Sequence, residues 1–204
     1  MKHAICAIIL AAGSANRMGK LKQLLPFGHR SMLEHVIDKV LQVNFVEVYT
    51  VIGNGAEEIQ QHISVHDARF HWLVNEHYQM GQSTSLQLAL HHILPYYKNI
   101  MIFLGDLPFV TIETIEKVAL VGSESLKVNE HPFIVRPTYH HIQGHPVFIG
   151  HMTETLANKI SGDQGLKSIR HEFTNKRIIP VENEGVIFDI DTPEDYKKAM
   201  DILK

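Results

Sequence analysis

Cationic side chains follow a run of small residues near the start of the chain. An apolar stretch leads through Gly13 into a segment that carries Arg17, Lys20 and Lys22. Small side chains let backbone N–H groups approach a phosphate closely, and successive amides in a turn bind anions. Arg17 can fork onto phosphate oxygens, whereas the two lysines act as mobile point charges. The segment predicts a phosphate-binding loop, although an ordinary strand-to-helix turn with solvated cations uses the same residue types.

Two acidic segments supply candidate metal ligands. Asp106 follows an apolar run, and the carboxyl end of a strand is where open α/β sheets bind ligands. Asp189 and Asp191 alternate, so a short strand would place both carboxylates on one face. Carboxylates beside a triphosphate suit Mg²⁺. The competing explanation for these aspartates is the capping of a following turn or helix.

Alternating apolar runs and helical patterns predict the elements that position these residues. Strands are expected at residues 4–10, 46–52, 71–74 and 100–104. Helices are expected at residues 31–41, with Ser31 as N-cap and Glu34 at the third helical position, and at residues 85–94. Prolines interrupt the apolar pairs after residue 121, which favours strands of mixed direction at 133–135 and 147–149.

The end of the chain completes a three-layer α/β prediction. A helix is expected at residues 151–159, a turn at 162–165, a strand at 177–181 and a closing helix from Pro193. The predicted architecture is one Rossmann-like domain over residues 1–204, with a mostly parallel sheet and a small mixed or antiparallel edge.

Composition excludes several classes of function. The net charge of −3 gives no basic surface for nucleic acid, and no segment approaches the length of a membrane span. With no signal-type cleavage region, the chain is expected to be cytoplasmic. Cys6 is the single cysteine, so a disulfide within the chain and a cysteine zinc site are excluded. The fifteen histidines lack the H-E-x-x-H arrangement, which favours solvated or partly buried histidines over a metal site.

The cationic segment resembles the signature L-A-A-G-x-S-x-R-M-G-x-x-K of the MobA-like nucleotidyltransferases, which are of the nucleotide-diphospho-sugar transferase type. Its continuation through residues 22–26 and 33–35 is more similar to the molybdenum cofactor cytidylyltransferase branch, which is MocA-like, than to the guanylyltransferase branch. One position departs from the pattern, because Ala15 stands where the family has Ser. That hydroxyl contact is therefore missing or is supplied by Ser14.

The resemblance implies roles for individual residues. The implied catalytic residues are Lys22, Arg17 and Asp106. The implied Mg²⁺ ligands are Asp106 and Asp191, because segments 105–108 and 189–195 match the family's G-D-x-P and D-I-D-T-P-E-D motifs. The implied nucleotide contacts are Leu10, Ala11, Ala12, Gly13, Ser14, Arg17, Lys22, Gly81 and Ser85.

Three looser matches extend the resemblance. Residues 75–86 resemble a family element that lies over the nucleotide, and residues 143–147 resemble a G-H-P-V element on the acceptor side, which implies substrate contacts from Gly144 and His145. Without the resemblance, the serines at 83 and 85 would be helix caps and His145 a turn histidine. Residues 162–167 resemble the family's G-D-x-G-A-R, with Leu166 and Lys167 in place of Ala-Arg.

The function implied is transfer of CMP from CTP to the terminal phosphate of a molybdopterin-type cofactor, with release of pyrophosphate. One alternative is a sugar-phosphate or polyol-phosphate cytidylyltransferase, or a guanylyltransferase that uses GTP. A second is a non-catalytic accessory protein that delivers the nucleotide form of the molybdenum cofactor to a hydroxylase such as xanthine dehydrogenase. The paired aspartates favour catalysis, because delivery alone does not need two metal ligands.

Overall fold

The computed structural model describes residues 4–13 and 21–204. The strands within these residues are β1 (Ile5–Leu10), β2 (Pro26–Phe27), β3 (Arg30–Ser31), β4 (Glu47–Ile52), β5 (Phe70–Val74), β6 (Asn99–Leu104), β7 (Phe133–Tyr139), β8 (Ile142–Gln143), β9 (Val147–Gly150) and β10 (Asn175–Pro180). The main sheet has the order β10-β7-β9-β6-β1-β4-β5, with β8 paired to β7, while β2 and β3 form a small separate hairpin.

Parallel pairing dominates this sheet. β1 pairs in parallel with β4 and β6, β4 pairs in parallel with β5, and β7 pairs in parallel with β10. The antiparallel pairs, β6 with β9, β7 with β9 and β7 with β8, are confined to one side. The predicted mostly parallel α/β sheet with a small antiparallel edge is therefore confirmed.

Helices cover both faces of the sheet. They are α1 (Met32–Leu41), α2 (Ala56–His62), α3 (Gln82–Ile93), α4 (Ile112–Ser125), α5 (Glu154–Lys159) and α6 (Pro193–Ile202). In β1, Ile9 packs in one apolar cluster with Leu33 of α1, and Ile8 packs in another with Leu86 of α3. Alternate residues of one buried strand thus face two helical layers, which explains why β1 is apolar at nearly every position.

Local signals place α1 where the sequence predicts it. The hydroxyl of Ser31 accepts from the backbone N–H of Glu34, and the Glu34 carboxylate accepts from the N–H of Ser31. This reciprocal capping box satisfies two N–H groups that the first helical turn leaves without partners. The helix therefore begins at Met32 and presents five apolar residues to the core: Met32, Leu33, Val36, Ile37 and Val40.

Other predicted bounds shift by a few residues. α3 begins at Gln82 rather than at 85, and α5 begins at Glu154 because Thr153 caps it. The turn expected at 162–165 belongs to a 3-10 segment, Gly162–Glu172, that is interrupted at Gly165 with a φ of 51°. β7 runs through Pro137 to Tyr139, because the Pro137 carbonyl still accepts from Gly144 although the residue has no N–H to donate.

Residues 188–191 correct one prediction. The short strand expected to carry Asp189 and Asp191 does not form, and both residues lie in an irregular segment outside the sheet. The Ile190 N–H donates to the Asp106 carbonyl over 3.1 Å, which holds this segment beside the residues that follow β6. None of the helices in the described ranges combines the length and the apolar composition of a membrane span.

Candidate functional site

A cavity of about 340 Å³ lies at the carboxyl ends of β1 and β6. The two strands are parallel and in register, with Leu10 opposite Leu104, so the residues that follow them meet at one edge of the sheet. The lining comprises Leu10, Ala11, Ala12, Gly13, Lys22, Gln23, Met32, Gln82, Ser85, Leu104, Gly105, Asp106 and Asp191. Most of the predicted nucleotide contacts that fall within the described residues are therefore brought together here.

Lys22 joins two aspartates from distant parts of the chain. Its ammonium donates to Asp106 Oδ2 over 2.9 Å and to Asp191 Oδ1 over 2.5 Å. The Lys22 side chain is 13% exposed, against 29% for Asp106 and 51% for Asp191. Burial alone would lower the pKa of Lys22, but the two carboxylates outweigh burial and raise it. Lys22 is thus a cation held at the floor of the cavity.

The two aspartates fit a divalent cation. Asp106 Oδ1 is buried and has no hydrogen-bond partner, so one oxygen of that carboxylate remains available. Asp189 is largely exposed, yet partial desolvation and the nearby charges of Asp191 and Asp106 raise its pKa. This concentration of negative charge favours a cation, and Mg²⁺ typically takes one or two carboxylates together with substrate phosphates.

No larger protein metal site competes with this pair. Within residues 4–13 and 21–204, no group of three or more His, Cys, Asp and Glu side chains is placed to hold a metal ion. A cation at Asp106 and Asp191 needs further ligands from the substrate.

Gln23 is a cavity residue that the sequence analysis missed. It is 6% exposed and lies in the 3-10 turn Lys22–Leu24. Its Nε2 donates to the carbonyl of Ala11 over 2.6 Å and to that of Gly13 over 3.2 Å. Gln23 therefore fixes the loop that follows β1 against the turn that carries Lys22.

A second cavity of about 620 Å³ adjoins the first, and Leu10, Gln82 and Leu104 line both. The remaining lining residues are Leu86, Ile102, Ile134, Arg136, His141, Gln143, His145, Val147, Gln164, Gly165, Leu166, Lys167, Arg170 and Phe173. Half of these apolar members come from β6, β7 and β9, and the polar members come from the edge of the sheet and the segment Gly162–Glu172. The first cavity, at the strand ends, is thus continuous with the larger and more basic second cavity.

Cations dominate the polar wall of the second cavity. It contains Arg136, Lys167 and Arg170, and no Asp or Glu is among its described lining residues. Burial, and then the charge of Arg170, lowers the pKa of Arg136. The Arg136 guanidinium donates through Nε and Nη2 to the Gly144 carbonyl, over 3.2 and 2.9 Å. Lys167 and Arg170 are exposed, whereas Arg136 is half-buried, so an anion that enters the cavity would offset the desolvation of Arg136 in particular.

His145 lines this second cavity, whereas Gly144 is not among the described lining residues of either cavity and contacts Arg136 through its carbonyl. Burial, then Arg136 and Lys167, lowers the pKa of His145 to about 3. The imidazole is therefore neutral near pH 7. Gly144 is buried, and a Cβ there would clash with the Val186 carbonyl, so glycine is needed for the backbone to approach at this point.

The predicted residues near α3 divide into two groups. Ser85 lines the first cavity, and its Oγ accepts from Asn75 Nδ2 over 2.9 Å. Gly81 instead packs against Asp163 and does not line the described cavity. Ser83 Oγ accepts from the backbone N–H of Gly165 over 3.1 Å. The start of α3 is thus attached to a wall of the second cavity. The predictions for Ser14, Ala15 and Arg17 fall outside the described residues.

Comparison with sequence families identifies the class to which this arrangement belongs. The family described as the MobA-like NTP transferase domain matches residues 7–177. The chain belongs to the MobA-like NTP transferase family. Membership places the chain among the nucleotidyltransferases and confirms the family predicted from segment 8–22. The matched region includes Lys22, Asp106 and the second-cavity cations, and ends before Asp191.

Solved structures share the MobA-like fold over nearly the whole chain. Rv0371c of Mycobacterium tuberculosis H37Rv has 26% sequence identity and a TM-score of 0.81, with 98% of this chain and 100% of that chain covered. The molybdopterin-guanine dinucleotide biosynthesis protein A of Archaeoglobus fulgidus has 19% identity and a TM-score of 0.64, with 97% and 98% covered. At 19% identity, the second likeness shows the fold alone.

Curated relatives match about half of the chain. The bifunctional protein GlmU of Cellvibrio japonicus is 33% identical over 113 residues, which covers 54% of this chain and 24% of that protein. GlmU of Clostridium botulinum is 34% identical over 115 residues, with 55% and 24% covered. The match thus spans about a quarter of the length of these relatives.

Proposed function

We propose that the protein transfers a cytidylyl group from CTP to the terminal phosphate of a molybdopterin-type cofactor and releases pyrophosphate. The nucleotide would occupy the first cavity and the acceptor the second, so that the two substrates meet near Leu10, Gln82 and Leu104. The sequence resemblance to the cytidylyltransferase branch supports the choice of CTP and of this acceptor.

One observation carries the proposal: a large basic cavity opens directly beside the aspartate and lysine site. Its wall combines Arg136, Lys167 and Arg170 with an apolar surface that includes Ile102 and Phe173. Such a wall suits an acceptor that combines an anionic group with a bulky, weakly polar body. A phosphorylated pterin has both parts. A sugar phosphate has the anion but offers little to the apolar surface.

The chemistry needs positioning and charge neutralisation more than proton transfer. An oxygen of the acceptor phosphate attacks the α-phosphorus of CTP, the bond from that phosphorus to the bridging β-oxygen breaks, and pyrophosphate leaves with the electron pair. The attacking phosphate is already ionised near neutral pH, so no general base is required. Neutral His145 would line the acceptor's path without adding a further positive charge to Arg136 and Lys167.

Lys22 and the loop after β1 would stabilise most of the negative charge on the phosphates. The Lys22 ammonium would stabilise the charge that develops at the α-phosphoryl group. Backbone amides of the loop, together with Arg17, would bind the β- and γ-phosphates. Neither role requires Lys22 to lose its proton, which agrees with the raised pKa of its ammonium.

Asp106 and Asp191 would hold Mg²⁺ on the triphosphate, where the ion would neutralise phosphate charge and fix the geometry of the leaving group. The buried, unpartnered Oδ1 of Asp106 supports this assignment. A structure of the related Rv0371c, at 23% identity, is described as a complex with manganese, which is consistent with a divalent ion in this family.

A pyrophosphate-release assay tests the proposal. Purified protein with Mg²⁺ is given CTP or GTP, each with molybdopterin, a sugar phosphate or a polyol phosphate. We expect release of pyrophosphate with CTP and molybdopterin. Turnover with GTP would replace the cytidylyl assignment, and turnover with a sugar or polyol phosphate would replace the acceptor. Tight binding of the dinucleotide cofactor without turnover would instead support delivery to a molybdenum hydroxylase such as xanthine dehydrogenase.

A further inference from the structure

Gln23 carries a buried acceptor that the protein leaves unused. Its side chain is buried in the wall of the first cavity, and its Oε1 has no hydrogen-bond partner. A buried carbonyl oxygen without a partner costs roughly 1–3 kcal/mol, so such groups are uncommon outside functional sites. Within the described part of the cavity wall, only Asp106 has a comparable unpartnered oxygen.

The orientation of the Gln23 carboxamide follows from chemistry. The atoms near its other end are the carbonyl oxygens of Ala11 and Gly13, which can only accept. The group facing them must therefore be the NH₂ group, and a flip would place oxygen against oxygen. Oε1 is therefore the acceptor end of the carboxamide, and no described residue donates to it.

We propose that Gln23 is a specificity-determining residue that accepts a hydrogen bond from an N–H or O–H of the nucleoside. The triphosphate has no donors near neutral pH, and its oxygens would repel an amide carbonyl. The base amino group and the ribose hydroxyls are the donors that remain.

This inference rests on the proposed use of the first cavity for a nucleotide, but not on the identity of the acceptor. Binding of the α,β-methylene analogues of CTP, UTP, GTP and ATP with Mg²⁺, measured by calorimetry without acceptor, identifies the preferred nucleotide. The same titration is repeated with analogues of that nucleotide that lack the base amino group, the 2′-hydroxyl or the 3′-hydroxyl.

Two variants make the test specific. Gln23→Met keeps the length of the side chain and removes the acceptor. Gln87→Met is the matched control, because Gln87 Nε2 also donates to two backbone carbonyls, those of Ala157 and Ile160, but the residue does not line the described cavity. Each variant is measured against the whole analogue panel. Gln23→Leu, which also lacks the acceptor oxygen, replaces Gln23→Met if that variant does not fold, with Gln87→Leu as its control.

We expect Gln23→Met to weaken binding of the preferred nucleotide by roughly tenfold to a hundredfold and to abolish discrimination against one analogue. A lost response to the missing amino group assigns the bond to the base, and a lost response to a missing hydroxyl assigns it to the ribose. The proposal is overturned if wild-type protein binds all three analogues like the parent nucleotide, or if Gln23→Met weakens every analogue equally. If wild-type protein binds none of the nucleotides, the proposed function falls together with the inference.

Discussion

The Lys22 ammonium donates to Asp106 Oδ2 over 2.9 Å. The lysine proposed to act on the α-phosphate therefore contacts the carboxylate that is proposed to hold the metal. The ammonium contacts Oδ2 and leaves Oδ1 without a partner, so a divalent ion on Oδ1 would lie close to a like charge and each cation should weaken the binding of the other. Lys22 neutralises the aspartates while no cation is present, and the triphosphate offers it a new partner when the substrate enters.

Replacing Lys22 by Met should lower kcat by roughly 10²- to 10³-fold, because a preorganised cation is lost from the transition state. The same change should strengthen Mn²⁺ binding to the nucleotide-free protein, since the ammonium no longer competes for Asp106 and Asp191. Electron paramagnetic resonance of free Mn²⁺ measures the second effect. Lys204→Met, at an exposed lysine paired with Asp201, is the control. Turnover at the wild-type rate in Lys22→Met would remove its catalytic role.

Replacing Asp106 by Asn should weaken Mn²⁺ binding in the presence of nucleotide by at least about tenfold, since even outer-shell changes at metal sites commonly cost that much. Asp201→Asn removes a carboxylate of the exposed surface and should leave Mn²⁺ affinity unchanged. Calorimetric titration of Mn²⁺ into each protein with a non-hydrolysable CTP analogue gives the affinities. Equal affinities in the two variants would place the metal elsewhere.

The low pKa of His145, about 3, predicts an acid-sensitive fold. The unfolded chain takes up a proton at this histidine near pH 6.5, whereas the folded protein does not until about pH 3. The contribution of His145 to the free energy of unfolding is therefore complete above pH 6.5. It declines as the pH falls from 6.5 towards 3, by at most about 1.4 kcal/mol per pH unit. His145→Gln should reduce this decline. Urea unfolding at pH 7 and pH 5 compares the two proteins, and an unchanged pH dependence would contradict the prediction.

The hairpin turn between β7 and β8 stores backbone strain beside the second cavity. His140 and His141 both have a positive φ, 45° and 68°, in a two-residue turn that favours Asn-Gly or Gly-Gly. Only His141 lines the cavity. Replacing either residue by Gly should raise stability by about 1 kcal/mol.

The two glycine variants should differ in kinetics. His141→Gly should raise the KM for the acceptor and leave the KM for CTP unchanged, whereas His140→Gly should change neither. Thermal unfolding and steady-state kinetics on both proteins make the comparison. An acceptor KM that is the same in the two variants would show that His141 has no part in binding.

Short-range patterns in the sequence predict much of the fold. β1 is a continuous apolar run, and the capping box of Ser31 and Glu34 marks the start of α1, so both are visible within a few residues. α2 and α4 were not predicted. α4 is capped by Thr111, yet its length depends on packing against β7 and β9, which the local pattern does not reveal.

The site is less accessible from the sequence because distant segments build it. The aspartates and Lys22 are predicted as members of one site, but the strand expected at Asp189 and Asp191 is wrong, since Thr192 and Pro193 start α6 directly after an irregular segment. The basic wall joins Arg136 to Lys167 and Arg170 across β7 and the segment Gly162–Glu172. No motif links these residues, and only tertiary packing brings them together.

Transfer of label from CTP tests the proposed function most directly. Wild-type protein is mixed with Mg²⁺, excess molybdopterin and CTP labelled in the α-phosphate, and the products of a single turnover are separated. We expect the label to appear in a molybdopterin dinucleotide, with one pyrophosphate released for each label transferred. Label that stays in CTP or CMP with molybdopterin, but passes to a sugar or polyol phosphate supplied in its place, would contradict the assignment of the second cavity to a pterin acceptor.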